Sequence, residues 1–114
     1  MKFIPQKIHN SFIVEIEKNE DERGFFARTY DIDEFKKHGL NSKIVQCNIN
    51  YTKKKGTVKG LHYQKTPFEE AKLIRCIRGS VYSVIVDLRP DSPTYKQSES
   101  IILSENEYCW RYIP

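Results

Sequence analysis

The chain has 114 residues, with 19 basic and 15 acidic side chains and a formal net charge of +4. Hydrophobic residues make up 39% and charged residues 30%, a globular mixture rather than a disordered one, and the length fits one domain. No apolar run approaches the ~20 residues of a membrane span, and the first residues, Met1 to His9, lack the apolar core of a secretory signal.

Taken in order, most apolar segments alternate with period two or form short β-branched runs. Phe12–Ile16 reads as a strand and Phe25–Tyr30 as another. One short helix is predicted over Asp33–His38. Asp31 or Asp33 caps its start, acidic residues favour its first turn, and Gly39 ends it in the left-handed conformation. From Lys43 onward the pattern is β throughout. Strands are predicted over Ile44–Tyr51, Val58–Gln64, Lys72–Ile77, Val81–Leu88, Gln97–Leu103 and Tyr108–Ile113. Arg78-Gly79-Ser80 reads as a hairpin turn and Ser104–Glu107 as a further turn. Short strands with almost no helix predict an antiparallel sandwich, barrel or jelly roll.

The three cysteines, Cys47, Cys76 and Cys109, are odd in number and widely spaced, with no C-x-x-C. This argues against a disulfide framework or a zinc ribbon and for a reducing compartment, the cytoplasm. Cys47 and Cys76 lie in apolar runs and are expected to be small buried hydrophobes. The one dense basic cluster is Lys53, Lys54, Lys55 and Lys59. A solvated hairpin explains it better than a nucleic-acid contact, because acidic residues are interspersed through most of the remaining chain. A small anionic substrate fits the modest positive excess.

Alternation places Gln46, Asn48 and Asn50 on one face of their strand. That face either meets solvent or lines a polar cavity. Gly60, His62 and Gln64 share a face of the next strand, and Lys72, Ile74 and Cys76 a face of the one after it. Adjacent strands would thus project Gln46, Asn48, His62 and Lys72 into one cleft. A neutral imidazole is a competent base near pH 7. A lysine ammonium steadies a carbonyl oxygen as negative charge develops on it. The pair suits proton abstraction beside a carbonyl, although a lone strand histidine is more often structural. A metal reading competes. Gly56, His62 and Glu69 follow the cupin-type spacing G-x5-H-x-H-x3-4-E, but Gln64 stands at the second histidine, and His9 and His38 lie in other segments. No metal and no cofactor are expected on this donor set. The spacing still favours a cupin-like barrel. No G-x-S-x-G, G-x-G-x-x-G or P-loop occurs.

Several ordered motifs carry a resemblance. Asp21-Glu22-Arg23-Gly24-Phe25-Phe26, Gln46-Cys47-Asn48, Gly60-Leu61-His62-Tyr63-Gln64 and Ala71-Lys72-Leu73-Ile74-Arg75-Cys76 are the first four. Gly79-Ser80-Val81-Tyr82, Val86–Tyr95 and Leu103-Ser104-Glu105-Asn106 follow. In this order they resemble the dTDP-4-dehydrorhamnose 3,5-epimerase family over nearly the whole chain. The resemblance implies an all-β, cupin-like antiparallel jelly roll, a homodimer, and no metal in the chemistry. It implies epimerisation of a nucleotide-linked 4-keto-6-deoxy sugar at C3, C5 or both through an enolate. His62 matches the catalytic base and Lys72 the lysine that steadies the enolate oxygen. Gln46 and Asn48 match positions that contact polar or diphosphate parts of the substrate. Arg23 and Phe26 match a segment that reaches the nucleotide. Lys59 stands where the family has an arginine before Gly-Leu-His, keeping the charge without the bidentate fork. Arg28 stands where an acidic residue is common.

In the family, an Ile-Pro like Ile113-Pro114 leads into a glycine- and histidine-bearing segment. A tyrosine general acid and an aspartate partner for the base come after it. The expectation is therefore one domain over residues 1–114 whose C-terminal strands are missing. The alternative to an epimerase is an inactive module that binds the sugar nucleotide or dimerises. A nucleic-acid-binding β domain ranks well below both.

Overall fold

The computed structural model describes all 114 residues, Met1–Pro114. Eight strands and one helix follow in the order β1 (Lys2–Pro5), β2 (Phe12–Glu15), β3 (Lys18–Asp21), β4 (Gly24–Ala27), α1 (Ile32–Lys37), β5 (Lys72–Ile74), β6 (Ser80–Val86), β7 (Ser98–Ser104) and β8 (Cys109–Ile113). They form a four-stranded sheet in the order β1-β2-β8-β5 and two two-stranded sheets, β3-β4 and β6-β7. Every pairing is antiparallel.

Strand β8 is the centre of the larger sheet. It pairs with β2 on one side, Val14 opposite Trp110, and with β5 on the other, Leu73 opposite Tyr112. Successive side chains leave opposite faces, and both faces of β8 are used. Trp110 and Tyr112 join Val14, Phe35 and Leu40 in a buried apolar cluster. Helix α1 supplies Phe35, whose ring meets Phe3 edge-on at 5.3 Å and Tyr112 at 6.2 Å. The helix stands where the sequence predicts, shifted by one residue at each end. Asp31 is its N-cap and accepts from the Asp33 and Glu34 amides, and Gly39 follows at φ 67°.

The opposite face of β8 carries Arg111, which has 0% exposure. Its guanidinium donates to Ser83 O at 2.7 Å and Ser83 Oγ at 3.1 Å on β6. It also donates to Glu99 Oε2 at 3.0 Å on β7. Burial pulls the Arg111 guanidinium below its ordinary value, and the Glu99 carboxylate opposes that pull. Glu99 reaches further, accepting from the Lys7 amide at 2.7 Å and the Ser11 hydroxyl at 3.4 Å. One ion pair therefore joins β8, the β6-β7 sheet and the β1-β2 turn.

A second polar knot closes the β6-β7 turn. The Asp87 carboxylate, 4% exposed, accepts from Arg89 Nε and Nη2 at 2.8 Å, from Ser92 Oγ at 2.5 Å and from Thr94 Oγ1 at 2.7 Å. The Arg89 bonds, with those from Ser92 and Thr94, hold the Asp87 carboxyl far below the usual carboxylate range although burial opposes them. Arg89 also donates to His9 O at 2.7 Å, tying this turn to the β1-β2 turn.

Four sequence expectations are corrected. The segments Ile44–Tyr51 and Val58–Gln64 lie in no sheet and are exposed along their length. A strand needs a partner ladder for its backbone groups, and these two arms meet through a side-chain bond, Lys59 Nζ to Asn50 Oδ1 at 2.6 Å. Cys47, expected inside, is consequently exposed. Arg78–Ser80 is not a hairpin turn. The chain crosses there from β5, which pairs with β8, to β6, which pairs with β7. Strands β1 and β3 are additions to the sequence reading. The polar Lys18–Asp21 gives no apolar alternation and becomes a strand through its pairing with β4.

The Arg111–Glu99 pair generates a test. Glu99→Gln leaves an uncompensated buried guanidinium and is expected to cost about 3–5 kcal/mol, whereas Glu99→Leu with Arg111→Met recovers most of that loss. Urea unfolding of the single and double variants measures both. A single variant within ~1 kcal/mol of the parent contradicts the clamp.

Candidate active site

Lys72 opens β5 opposite Ile113, on the same strand face as Ile74. It is half-buried, and its ammonium lies 3.1 Å from Glu70 Oε1. Glu70 stands two residues upstream, so an extended chain sends both side chains to one side. With its side-chain nitrogen assigned toward the acceptors around it, Gln64 donates to the same Glu70 oxygen at 3.0 Å and to Phe68 O at 3.2 Å. Gln64 and Lys72 thus meet on one carboxylate, Gln64 by a hydrogen bond and Lys72 as an ion pair. It links the segment that carries His62 to the edge of the main sheet.

His62 is exposed, two residues before Gln64. Its ring lies against Gly60. A Cβ added at Gly60 would stand 3.2 Å from His62 Nδ1, and Gly60 has φ 95°, in the region that side chains rarely adopt. Any Cβ at Gly60 would crowd the imidazole and shift it by a few tenths of an ångström. Lys59 is exposed, with its ammonium held by Asn50 across the two arms. Gln46 and Asn48 lie exposed on the first of those arms. Lys53, Lys54 and Lys55 are exposed around its outer turn, where Thr57 Oγ1 donates to Lys54 O at 2.7 Å.

Arg23 and Phe26 sit apart, on the β3-β4 hairpin. Arg23 donates from Nη2 to Asp21 Oδ2 at 2.5 Å, and the Asp21 carboxyl is held below its ordinary value mainly by Arg23. Phe26 is 75% exposed, so its ring face is open to a planar partner. Its neighbour Phe25 packs edge-on against Tyr108 at 5.0 Å, with the Lys18 ammonium 4.7 Å and 4.3 Å from the two ring centroids. These contacts tie the hairpin to the approach to β8. Arg28 bonds Asp31 Oδ2 at 2.6 Å, next to the cap of α1.

The structure therefore links Lys72 to the His62 segment through Gln64 and Glu70, and Lys59 to the first arm through Asn50. Glu70 is the member that sequence reasoning missed. Its signal was the two-residue spacing to Lys72. Two cavities flank β8. One is lined by Arg75, Cys76, Glu105, Tyr108, Cys109 and Trp110, the other by Ile13, Glu15, Ile101, Ile102, Glu107 and Cys109. Neither is lined by His62 or Lys72. No group of three or more His, Cys, Asp or Glu side chains stands close enough together to hold a metal ion.

The antiparallel sheets with a single short helix define an all-β jelly roll of the cupin type. The chain belongs to the dTDP-4-dehydrorhamnose 3,5-epimerase family, whose sequence model matches residues 5–114. A dTDP-4-dehydrorhamnose 3,5-epimerase of Sinorhizobium fredii is 38% identical over 94 residues, covering 82% of this chain and 48% of that protein. The crystal structure of the Elizabethkingia anophelis enzyme of that name superposes with a TM-score of 0.96 at 36% identity. The match covers 100% of this chain and 62% of that one. The dTDP-6-deoxy-D-glucose-3,5-epimerase of Legionella pneumophila, solved with dTDP-4-keto-L-rhamnose, superposes with a TM-score of 0.87 at 33% identity. It covers 99% of this chain and 60% of that one. The chain thus spans about half to two thirds of the length of these relatives.

Gly60→Ala is expected to displace the His62 ring and to cost about 1–3 kcal/mol from the forced left-handed backbone. The His62 imidazole resonances report the displacement, and unchanged shifts in a folded variant would contradict it.

Proposed function

We propose that this chain carries the base and the oxyanion-stabilising cation of an epimerase acting on a nucleotide-linked 4-keto-6-deoxy sugar. A ketone at C4 acidifies the C–H bonds at C3 and C5. The His62 imidazole takes one of these protons, and the electron pair moves onto the C4 oxygen as an enolate. The Lys72 ammonium meets that oxygen as charge develops on it. Return of a proton to the opposite face inverts the carbon. The observation that carries the reading is the shared Glu70 carboxylate, which ion-pairs with Lys72 and accepts from Gln64, two residues after His62.

Substrate holding falls to the other named residues. Lys59 offers one positive charge to a diphosphate oxygen, as a point charge rather than a fork. Gln46 and Asn48 offer amides to polar groups of the substrate. Phe26 offers an open ring face on which a nucleobase stacks, and Arg23 a guanidinium for phosphate or base. The dTDP-sugar bound to the Legionella relative supports a thymidine diphosphate carrier. A homodimer and a cytoplasmic setting complete the reading, with the free cysteines consistent with the latter. Deoxysugar assembly for surface polysaccharide is the role that follows.

The test is conversion of a dTDP-4-keto-6-deoxy sugar to its C3 or C5 epimer, followed by NMR. His62→Ala is expected to lower the rate about 10²–10⁴-fold, the usual worth of a positioned base. Lys72→Met is expected to fall to a similar level. Full activity in a folded His62→Ala protein would overturn the assignment.

A further inference from the structure

Two of the three cysteines share one cavity wall. Cys76 and Cys109 are both half-buried, and both line the cavity beside Trp110. Their placement follows from strand register. Strand β5 pairs with β8 at Lys72–Ile113, Leu73–Tyr112 and Ile74–Arg111. Carried two residues further, the same register sets Arg75 opposite Trp110 and Cys76 opposite Cys109. The Arg75 guanidinium lies over the Trp110 ring, 5.1 Å from its centroid, a side-chain contact between two residues that this extension sets opposite each other. Residues directly opposite in an antiparallel pair have Cα atoms about 4.5–5.5 Å apart and side chains on the same face. That falls within the roughly 4.4–6.8 Å window that a disulfide spans.

Both thiols are free, and each has a local partner rather than the other sulfur. Cys76 Sγ contacts Arg78 O at 3.3 Å, and Cys109 Sγ contacts Glu107 Oε2 at 3.9 Å. Cys47 lies far along the sequence, in an exposed arm outside this cavity.

We propose that Cys76 and Cys109 form a reversible cross-strand disulfide, a thiol-oxidation site that responds to a small disulfide oxidant such as oxidised glutathione. The Cys76 thiolate attacks one sulfur of the oxidant, breaking its S–S bond and releasing the first glutathione as a thiol. Cys109 then gives up its proton to solvent and attacks the Cys76 sulfur of the mixed disulfide, releasing the second. Two protein thiols are oxidised to one disulfide, and one glutathione disulfide is reduced to two thiols. Burial and the Glu107 and Glu15 carboxylates push the Cys109 thiol up, which makes it the resolving rather than the attacking group. The bond would clasp β5, the strand that begins with Lys72, to β8. The inference rests on register and does not depend on the epimerase reading.

The experiment treats the whole chain with oxidised glutathione. Thiols are counted after denaturation, and unreduced proteolytic peptides are mapped by mass spectrometry. Cys76 and Cys109 peptides are expected to be joined and separable by dithiothreitol, whatever glutathione adduct the exposed Cys47 takes. Cys109→Ser should arrest at a glutathione adduct on Cys76, and Cys76→Ser should leave Cys109 free. Three intact thiols in the oxidised sample would overturn the proposal. So would separate glutathione adducts on both residues of the wild-type chain, or cross-links made only through Cys47.

Discussion

A guanidinium with no solvent exposure lies at the middle of β8, and the arrangement of the other elements depends on it. Arg111 cannot shed its charge, so the fold must bring acceptors to it. Ser83 on β6 and Glu99 on β7 come from one side, which holds the β6-β7 sheet across from the four-stranded sheet. Glu99 in turn accepts from Lys7 and Ser11 and fixes the turn between β1 and β2. Apolar packing alone gives no such direction, because it is roughly proportional to area and indifferent to register. A one-residue slip of β8 would turn Arg111 into the apolar cluster and Trp110 toward Glu99. The ion pair thereby sets the register against both β2 and β5.

That register reaches the residues proposed for the chemistry. Strand β5 is only three residues long, and it is held by its pairing with β8. Lys72 begins it, so the position of its ammonium is inherited from the placement of β8. From Lys72 the connection runs outward through Glu70 to Gln64, and so to the arm that carries His62. The cation is therefore placed by rigid structure and the imidazole by an exposed loop with a glycine at its base.

Much of this was legible in the residues. Helix α1 was readable because Asp31, the acidic first turn and Gly39 each act locally. The all-β class was readable from alternation. The two arms around Lys53–Lys55 show the limit of that signal. Alternation reports which side chains share a face, but a strand also needs a partner, and the sequence does not name one. Sheet β3-β4 shows the converse, since Lys18–Asp21 has no apolar pattern and is a strand because of its neighbour. Arg111 was invisible for a related reason. An arginine in a strand is ordinarily a surface residue, and its acceptors lie 12 and 28 residues away. Of the candidate site, Lys72 and His62 were put forward on chemistry and resemblance. Glu70 was passed over because its role exists only once Lys72 and Gln64 converge on it.

The central claim is that His62 and Lys72 create an enolate beside the C4 carbonyl. Solvent deuterium incorporation isolates that step, because exchange needs the base and the oxyanion partner but not completed inversion. The account predicts that a dTDP-4-keto-6-deoxy sugar incubated with the folded chain in D2O gains deuterium at C3, C5 or both. It also predicts that the gain vanishes in His62→Ala. Incorporation no faster than in protein-free buffer would contradict it.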